Sequence, residues 1–256
     1  MRCALVTFAL LALATSALAA DIGMSPTRLD IVVNPGETAS ATVTIFTSSS
    51  AEQQVRSELS DWTLDPSGSI VFLPGASLAF SASPWVDLAL SDFMIAPRSS
   101  QTVRLDVTAP SNVGAVGTHH AMAFFTVVPP PSDGGTVGVM TTTRVGVTIY
   151  VTIAGTEVAG SELVDLYQDD DSSLTAVIVN TGNTVMRLGG VVELRDEGGT
   201  VRHRIQVPDV PVLRESERVL KLSLPDDVEP GFYVALALVE DSRGGLLVGE
   251  LPFDVP

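Results

Sequence analysis

The sequence predicts an all-β protein of two tandem β-sandwiches behind a cleaved leader. Three observations carry that expectation. After the first twenty residues, helical periodicity is nearly absent, while runs of β-branched residues alternating with polar ones recur to the end. Clusters of Pro, Gly, Asp and Ser break those runs at intervals that suit a sandwich and leave no room for βαβ crossovers. The pattern stops once, from Ala154-Gly155-Thr156 to Gly160-Ser161, and then restarts.

Residues 1–20 read as a signal peptide. Arg2 supplies the positive start, Ala4 to Ala14 the short apolar run, and Ala17-Leu18-Ala19 the small-residue cleavage pattern. Cysteine occurs only as Cys3, inside that leader. The mature chain is therefore expected to fold without a thiol, disulfide or lipid anchor and to rely on core burial. No later stretch is apolar enough over sufficient length for a membrane-spanning helix.

In the first sandwich, residues 21–155, Met24 to Val33 reads as the first strand. Thr42-Val43-Thr44-Ile45-Phe46 and Thr102-Val103-Arg104-Leu105-Asp106-Val107 follow the turns Asn34-Pro35-Gly36-Glu37 and Ala96-Pro97-Arg98-Ser99. The longest alternating run is Val137 to Ile153. Its valines and isoleucines share one parity, so it predicts a long strand with one apolar face. Pro129-Pro130-Pro131-Ser132-Asp133-Gly134-Gly135 precedes it as a loop. The second sandwich, residues 160–256, carries Leu174 to Val179, Val191 to Leu194, Val219 to Leu222 and Gly231 to Leu236 as strands. Both halves have the size and strand spacing of immunoglobulin-like domains.

The formal net charge of −16 argues against nucleic acid and anionic membrane surfaces as partners. No nucleophile elbow, zinc-protease motif, phosphate-binding glycine loop or mature cysteine is present, and histidines number three. The expectation is a binding or assembly protein, not an enzyme, with no cofactor and no metal. His119 and His120 are adjacent, so on a strand they point to opposite faces and cannot easily share a metal. Asp169-Asp170-Asp171 offers carboxylates to calcium but lacks the glycine and distal acid of an EF-hand, so a solvated turn is the simpler reading. Arg28 lies among apolar neighbours. Two roles are open to it: an ordinary surface or interdomain ion pair, or a carboxylate anchor in the cleft between domains, where a guanidinium can bind bidentately.

Residues 22–153 resemble the periplasmic pilus-assembly chaperones of the chaperone–usher pathway, in particular their archaic branch. The resemblance begins at Ser25-Pro26-Thr27-Arg28-Leu29 and continues through Asn34-Pro35-Gly36-Glu37 and Asp61-Trp62. It then takes in Ser91 to Pro97 with Gln101 to Leu105, Gly117 to Phe125 ending in Pro129-Pro130, and Arg144 to Val151. Val179-Asn180-Thr181-Gly182-Asn183 and Val212-Leu213 are similar to the family's second domain. The family's cleft lysine would fall at Gly146 or Val147, so it is absent here; Arg144, on the strand face of Gly146, is the candidate substitute. Arg144 to Val151 followed by Gly155 also resembles the wall-associated domains found with WxL surface proteins.

The first resemblance implies a periplasmic chaperone that caps fimbrial or surface-fibre subunits by β-strand donation. Val137, Val139 and Thr141 would enter the subunit's groove, and Arg28, with Arg144, would hold its terminal carboxylate. The partners implied are a pilus subunit and an outer-membrane usher. The alternative is an exported structural or adhesive envelope protein, secreted or at the cell surface, in which the last strand fills its own core.

Overall fold

The computed structural model describes residues 22–111, 114–129, 142–170 and 172–256. The leader and the candidate residues Val137, Val139 and Thr141 lie outside the described residues.

The first sandwich contains β1 (Ile22–Ser25), β2 (Arg28–Val33), β3 (Thr38–Thr47), β4 (Gln53–Leu64), β5 (Ile70–Pro74), β6 (Val86–Leu88), β7 (Asp92–Ile95), β8 (Ser100–Thr108), β9 (Thr118–Val128) and β10 (Arg144–Ile153). One sheet runs β1-β3-β8-β6. The other runs β2-β10-β9-β4-β5, with β7 pairing the start of β4. The core lies between them. Val43 and Ile45 of β3 and Val103, Leu105 and Val107 of β8 meet Val55, Ala121, Ala123, Phe125, Val147, Ile149, Val151 and Ile153 from the facing sheet. The alternation expected along the last strand is present over its described length, with its odd-numbered residues turned inward.

The predicted single strand from Met24 to Val33 is in fact two. Met24 pairs with Ile45 in one sheet, whereas Arg28 pairs with Thr148 in the other. Pro26 stands at the crossing, after a cis peptide bond with Ser25. A proline has no N–H for a ladder, so pairing is interrupted where the chain changes sheets. β2 runs parallel to β10, which an uninterrupted hairpin pattern does not anticipate.

The second sandwich contains β11 (Ser161–Asp170), β12 (Ser173–Asn180), β13 (Met186–Arg195), β14 (Val201–Val212), β15 (Glu217–Ser223), β16 (Gly231–Asp241) and β17 (Leu246–Val255). Its sheets run β11-β12-β15 and β14-β13-β16-β17. Leu174, Ala176 and Ile178 pack against Leu188, Val192, Leu194, Ala235 and Ala237.

The two sandwiches are joined by more than the chain. The amide of Thr118 donates to Asn183 O at 2.9 Å, and Val219 N–H donates to Pro66 O at 2.8 Å. Arg214 Nη1 donates to Val116 O at 2.7 Å. Between these contacts, Trp62, Met122, Phe124 and Tyr150 from the outer face of the first sandwich pack with Val185 and Leu213 of the second. Burying such side chains contributes on the order of 1.5–3 kcal/mol each, which helps to hold the two sandwiches together.

Candidate functional site

The outer face of β10 presents Arg144, Gly146, Thr148 and Tyr150, because the odd-numbered residues are committed to the core. In the parallel pairing, Arg28 lies beside Thr148 and Asp30 beside Tyr150, so both share this outward face. Arg28 donates from Nε to Asp30 Oδ2 at 2.7 Å and from Nη2 to Asp30 Oδ1 at 2.6 Å. Its Cζ lies 4.7 Å from the centroid of the Tyr150 ring, a cation–π distance. The hydrogen bond to Asp30 raises the pKa of Arg28 further, against the opposing effect of burial. Burial raises the Tyr150 phenol above its ordinary value, so it stays protonated. The sequence drew attention to Arg28 but not to Tyr150, whose ring lies against that arginine and also packs with Val185 and Leu213 of the second sandwich.

Arg144 occupies the other end of the same face. It lies four residues from Thr148, roughly 13 Å along an extended strand. It pairs with Glu58 and its Cζ lies 3.4 Å from the centroid of Phe124. Phe124 in turn meets Phe72 edge to face at 5.1 Å. Arg28 and Arg144 are thus on one face but at separate stations. Neither position expected for a lysine presents a cation. Val147 is fully buried in the core. At Gly146 a Cβ would come within 2.7 Å of Phe124 Cε1 and 2.9 Å of Met122 Sδ, so neighbouring side chains fill the space over that residue.

Among the described residues, one edge of β10 is open over its first part. Its pairing with β2 begins at Thr148, whose amide donates to Thr27 O at 3.1 Å. From Arg144 to Val147 the strand has β9 on one side and, among the described residues, no strand on the other. Unpaired backbone donors and acceptors on such an edge can template an incoming strand. Val145 and Val147 face the core there, and Arg28 stands just beyond the open stretch.

The histidines are interior side chains of β9. His119 lies with its ring centroid 4.2 Å from that of Trp85, and among the described residues neither ring nitrogen meets a hydrogen-bond partner. Burial, reinforced by the charge of Arg214, pushes its pKa down to about 4. His120 turns the other way, and its Nε2 lies 2.8 Å from Trp62 O. Asp169 and Asp170 both receive Lys221 Nζ, at 2.8 and 3.0 Å, while Asp171 lies outside the described residues. Among the described residues no group of three metal-ligating side chains converges. Asp61 is wholly buried and saturated. Its Oδ1 accepts from Ser81 and Ser83, and its Oδ2 from the amides of Ser77 and Leu78.

No family model matches the chain, and no curated protein matches it by sequence. Solved structures do. The chaperone YadV aligns at 14% identity with a TM-score of 0.50, covering 91% of this chain and 100% of its own. CfaA, a class 5 fimbriae chaperone, aligns at 11% identity and a TM-score of 0.52, covering 91% of this chain and 98% of its own. A chaperone–tip adhesin complex from CFA/I fimbriae biogenesis gives the same TM-score of 0.52 over 92% of this chain and 98% of that one. The chain has the two-sandwich fold of these fimbrial chaperones along nearly its whole length.

Proposed function

We propose that the protein is a periplasmic chaperone that binds and caps fimbrial or surface-fibre subunits by strand donation. The observation that carries this reading is the open edge of β10 beside Arg28, on the fold described above. A subunit strand would pair with Arg144 to Val147 and continue along the residues that precede them, so that Val137, Val139 and Thr141 enter its groove. Each apolar side chain fully buried there contributes on the order of 1.5–3 kcal/mol. Arg28 would receive the subunit's terminal carboxylate in a charge-assisted bond worth roughly 1.5–3 kcal/mol. An outer-membrane usher is the further partner of such a chaperone. Binding, not catalysis, is the activity.

The test is a pull-down of the tagged mature protein from its native envelope fraction, alongside Arg28→Ala and Val139→Asp, with mass spectrometry of the captured material. A stoichiometric small β-rich partner, lost with either variant while both stay folded, is the expected result. Capture unchanged in both variants, or recovery of wall material alone, would overturn the reading in favour of a structural envelope protein.

A further inference from the structure

We propose that Arg187 of the second sandwich is the second cation of the client-carboxylate site, closing on the carboxylate from across the cleft opposite Arg28. The inference rests on the chaperone reading and adds to it a site built from both domains.

A carboxylate has two oxygens and is held best by two charge-assisted donors. β10 supplies hydroxyls but no second cation near Arg28, since Gly146 is covered, Val147 is buried and Arg144 stands at the far end with Glu58. On the second sandwich, β13 begins and β14 ends beside the cluster that contains Tyr150. Met186, Leu188 and Val212 point into the core of the second sandwich. Alternation therefore turns Val185 and Arg187, and Leu213 and Pro211, to the opposite face. Val185 and Leu213 on that face already pack into the cluster containing Tyr150. Arg187 is the next outward residue, about 7 Å further along the strand. The electrostatics agree with this placement, because Tyr150 experiences both Arg28 and Arg187, and Arg28 and Asp209 act on one another across the gap.

The two arginines are held alike. Arg187 donates from Nε to Asp209 Oδ1 at 2.7 Å and from Nη2 to Asp209 O at 3.0 Å. Arg28 likewise uses Nε and Nη2 on Asp30. Neither Nη1 makes a hydrogen bond among the described residues. The side chains are similarly half-buried, 37% exposed for Arg28 and 36% for Arg187. Each aspartate fixes the plane of its guanidinium while remaining mostly hydrated, at 59% and 70% exposure, so an entering anion need not expel it. One carboxylate oxygen then accepts from each Nη1. A ligand held in this way also ties the two sandwiches together at one angle.

The test follows the Nε–Hε resonances of Arg28 and Arg187 in the labelled mature protein. The probe is the peptide acetyl-Val-Thr-Val-Thr-Val, as the free acid and as the C-terminal amide. The acid is expected to shift both resonances saturably and the amide neither. Arg187→Ala should weaken the acid at least tenfold without altering thermal unfolding, and Arg187→Lys should recover part of the loss. An acid that shifts Arg28 alone, shifts neither, or binds Arg187→Ala as tightly would overturn the clamp. Native-subunit capture separates the two claims. Loss with Arg28→Ala but not with Arg187→Ala leaves the chaperone reading standing and removes the clamp. Response of both arginines to the acid, with no subunit recovered, supports the clamp and removes the chaperone reading.

Discussion

The guanidinium of Arg214, from the second sandwich, lies 3.7 Å from the ring centroid of Phe80 in the first. The same side chain donates to Val116 O and is almost fully buried. It works as a bolt through the domain boundary. Arg214→Ala removes a charged hydrogen bond and a desolvated cation–π contact. The expected loss is about 2–4 kcal/mol in urea unfolding, with faster proteolysis of the connector between Ala154 and Gly160. A loss below about 0.5 kcal/mol would show that the boundary is held by the Pro66–Val219 and Thr118–Asn183 contacts and the apolar cluster around Tyr150 without help from Arg214.

His119 sits one side chain away from that bolt and makes the fold sensitive to acid. Its folded pKa of about 4 lies below the ordinary 6.5, so the unfolded chain takes up a proton first as pH falls. Stability is full above about 6.5 and declines through the window down to about 4, by at most about 1.4 kcal/mol per pH unit for this one proton. His120 is displaced in the same direction, chiefly by burial, and adds to the decline. Thermal melts of His119→Phe between those pH values should show a shallower slope than wild type. An identical slope would assign the acid sensitivity to other groups.

Asp61 should be among the least replaceable polar residues. Asp61→Ala strands two amides and two hydroxyls in a buried pocket, at about 1–3 kcal/mol for each group left unpaired. The expected destabilisation exceeds 3 kcal/mol by denaturant titration, with Asp61→Asn milder because one acceptor oxygen remains. Burial alone would raise the Asp61 pKa, but the four hydrogen bonds together hold it below its usual value. Its stabilisation is thus present above the ordinary carboxylate range and disappears as pH drops through the depressed folded pKa.

Introducing a lysine at position 146 should not improve the proposed client binding. The Cβ of Gly146→Lys would collide with Phe124 and Met122, and the long side chain would have to part them. The expected cost is about 1–3 kcal/mol in stability, with no gain in subunit capture. Tighter capture by this variant would show that the aromatic cover moves aside readily.

Gly68 adopts φ +91°, and a Cβ there would sit 1.3 Å from Arg218 Nη1. Gly68→Ala should displace the flexible guanidinium of Arg218 and strain the β4–β5 turn at this positive φ, loosening the adjacent bond from Val219 to Pro66. Hydrogen exchange at the Val219 amide measures this directly, and tenfold or faster exchange is expected. Unchanged protection would mean that Arg218 swings away without disturbing the turn.

Much of the architecture was readable from the chain itself. Strand content, the inward parity from Val145 to Ile153, the pause at Ala154 to Gly160 and the prominence of Arg28 follow from local periodicity and composition, which are properties of neighbouring residues. The opposite orientations of His119 and His120 follow from the same two-residue repeat. What pairs with what did not follow. The switch of sheets at Pro26, the parallel docking of β2 on β10 and the cover over Gly146 depend on residues from about twenty positions apart, as for Gly146 and Phe124, to about 120, as for Arg28 and Thr148. So does the meeting of Tyr150 with Val185 and Leu213. Alternation specifies which face a side chain takes, but only the packing of the two sandwiches decides which charges share a cleft. Arg187 has no distinguishing local pattern, and its place opposite Arg28 is a consequence of that packing.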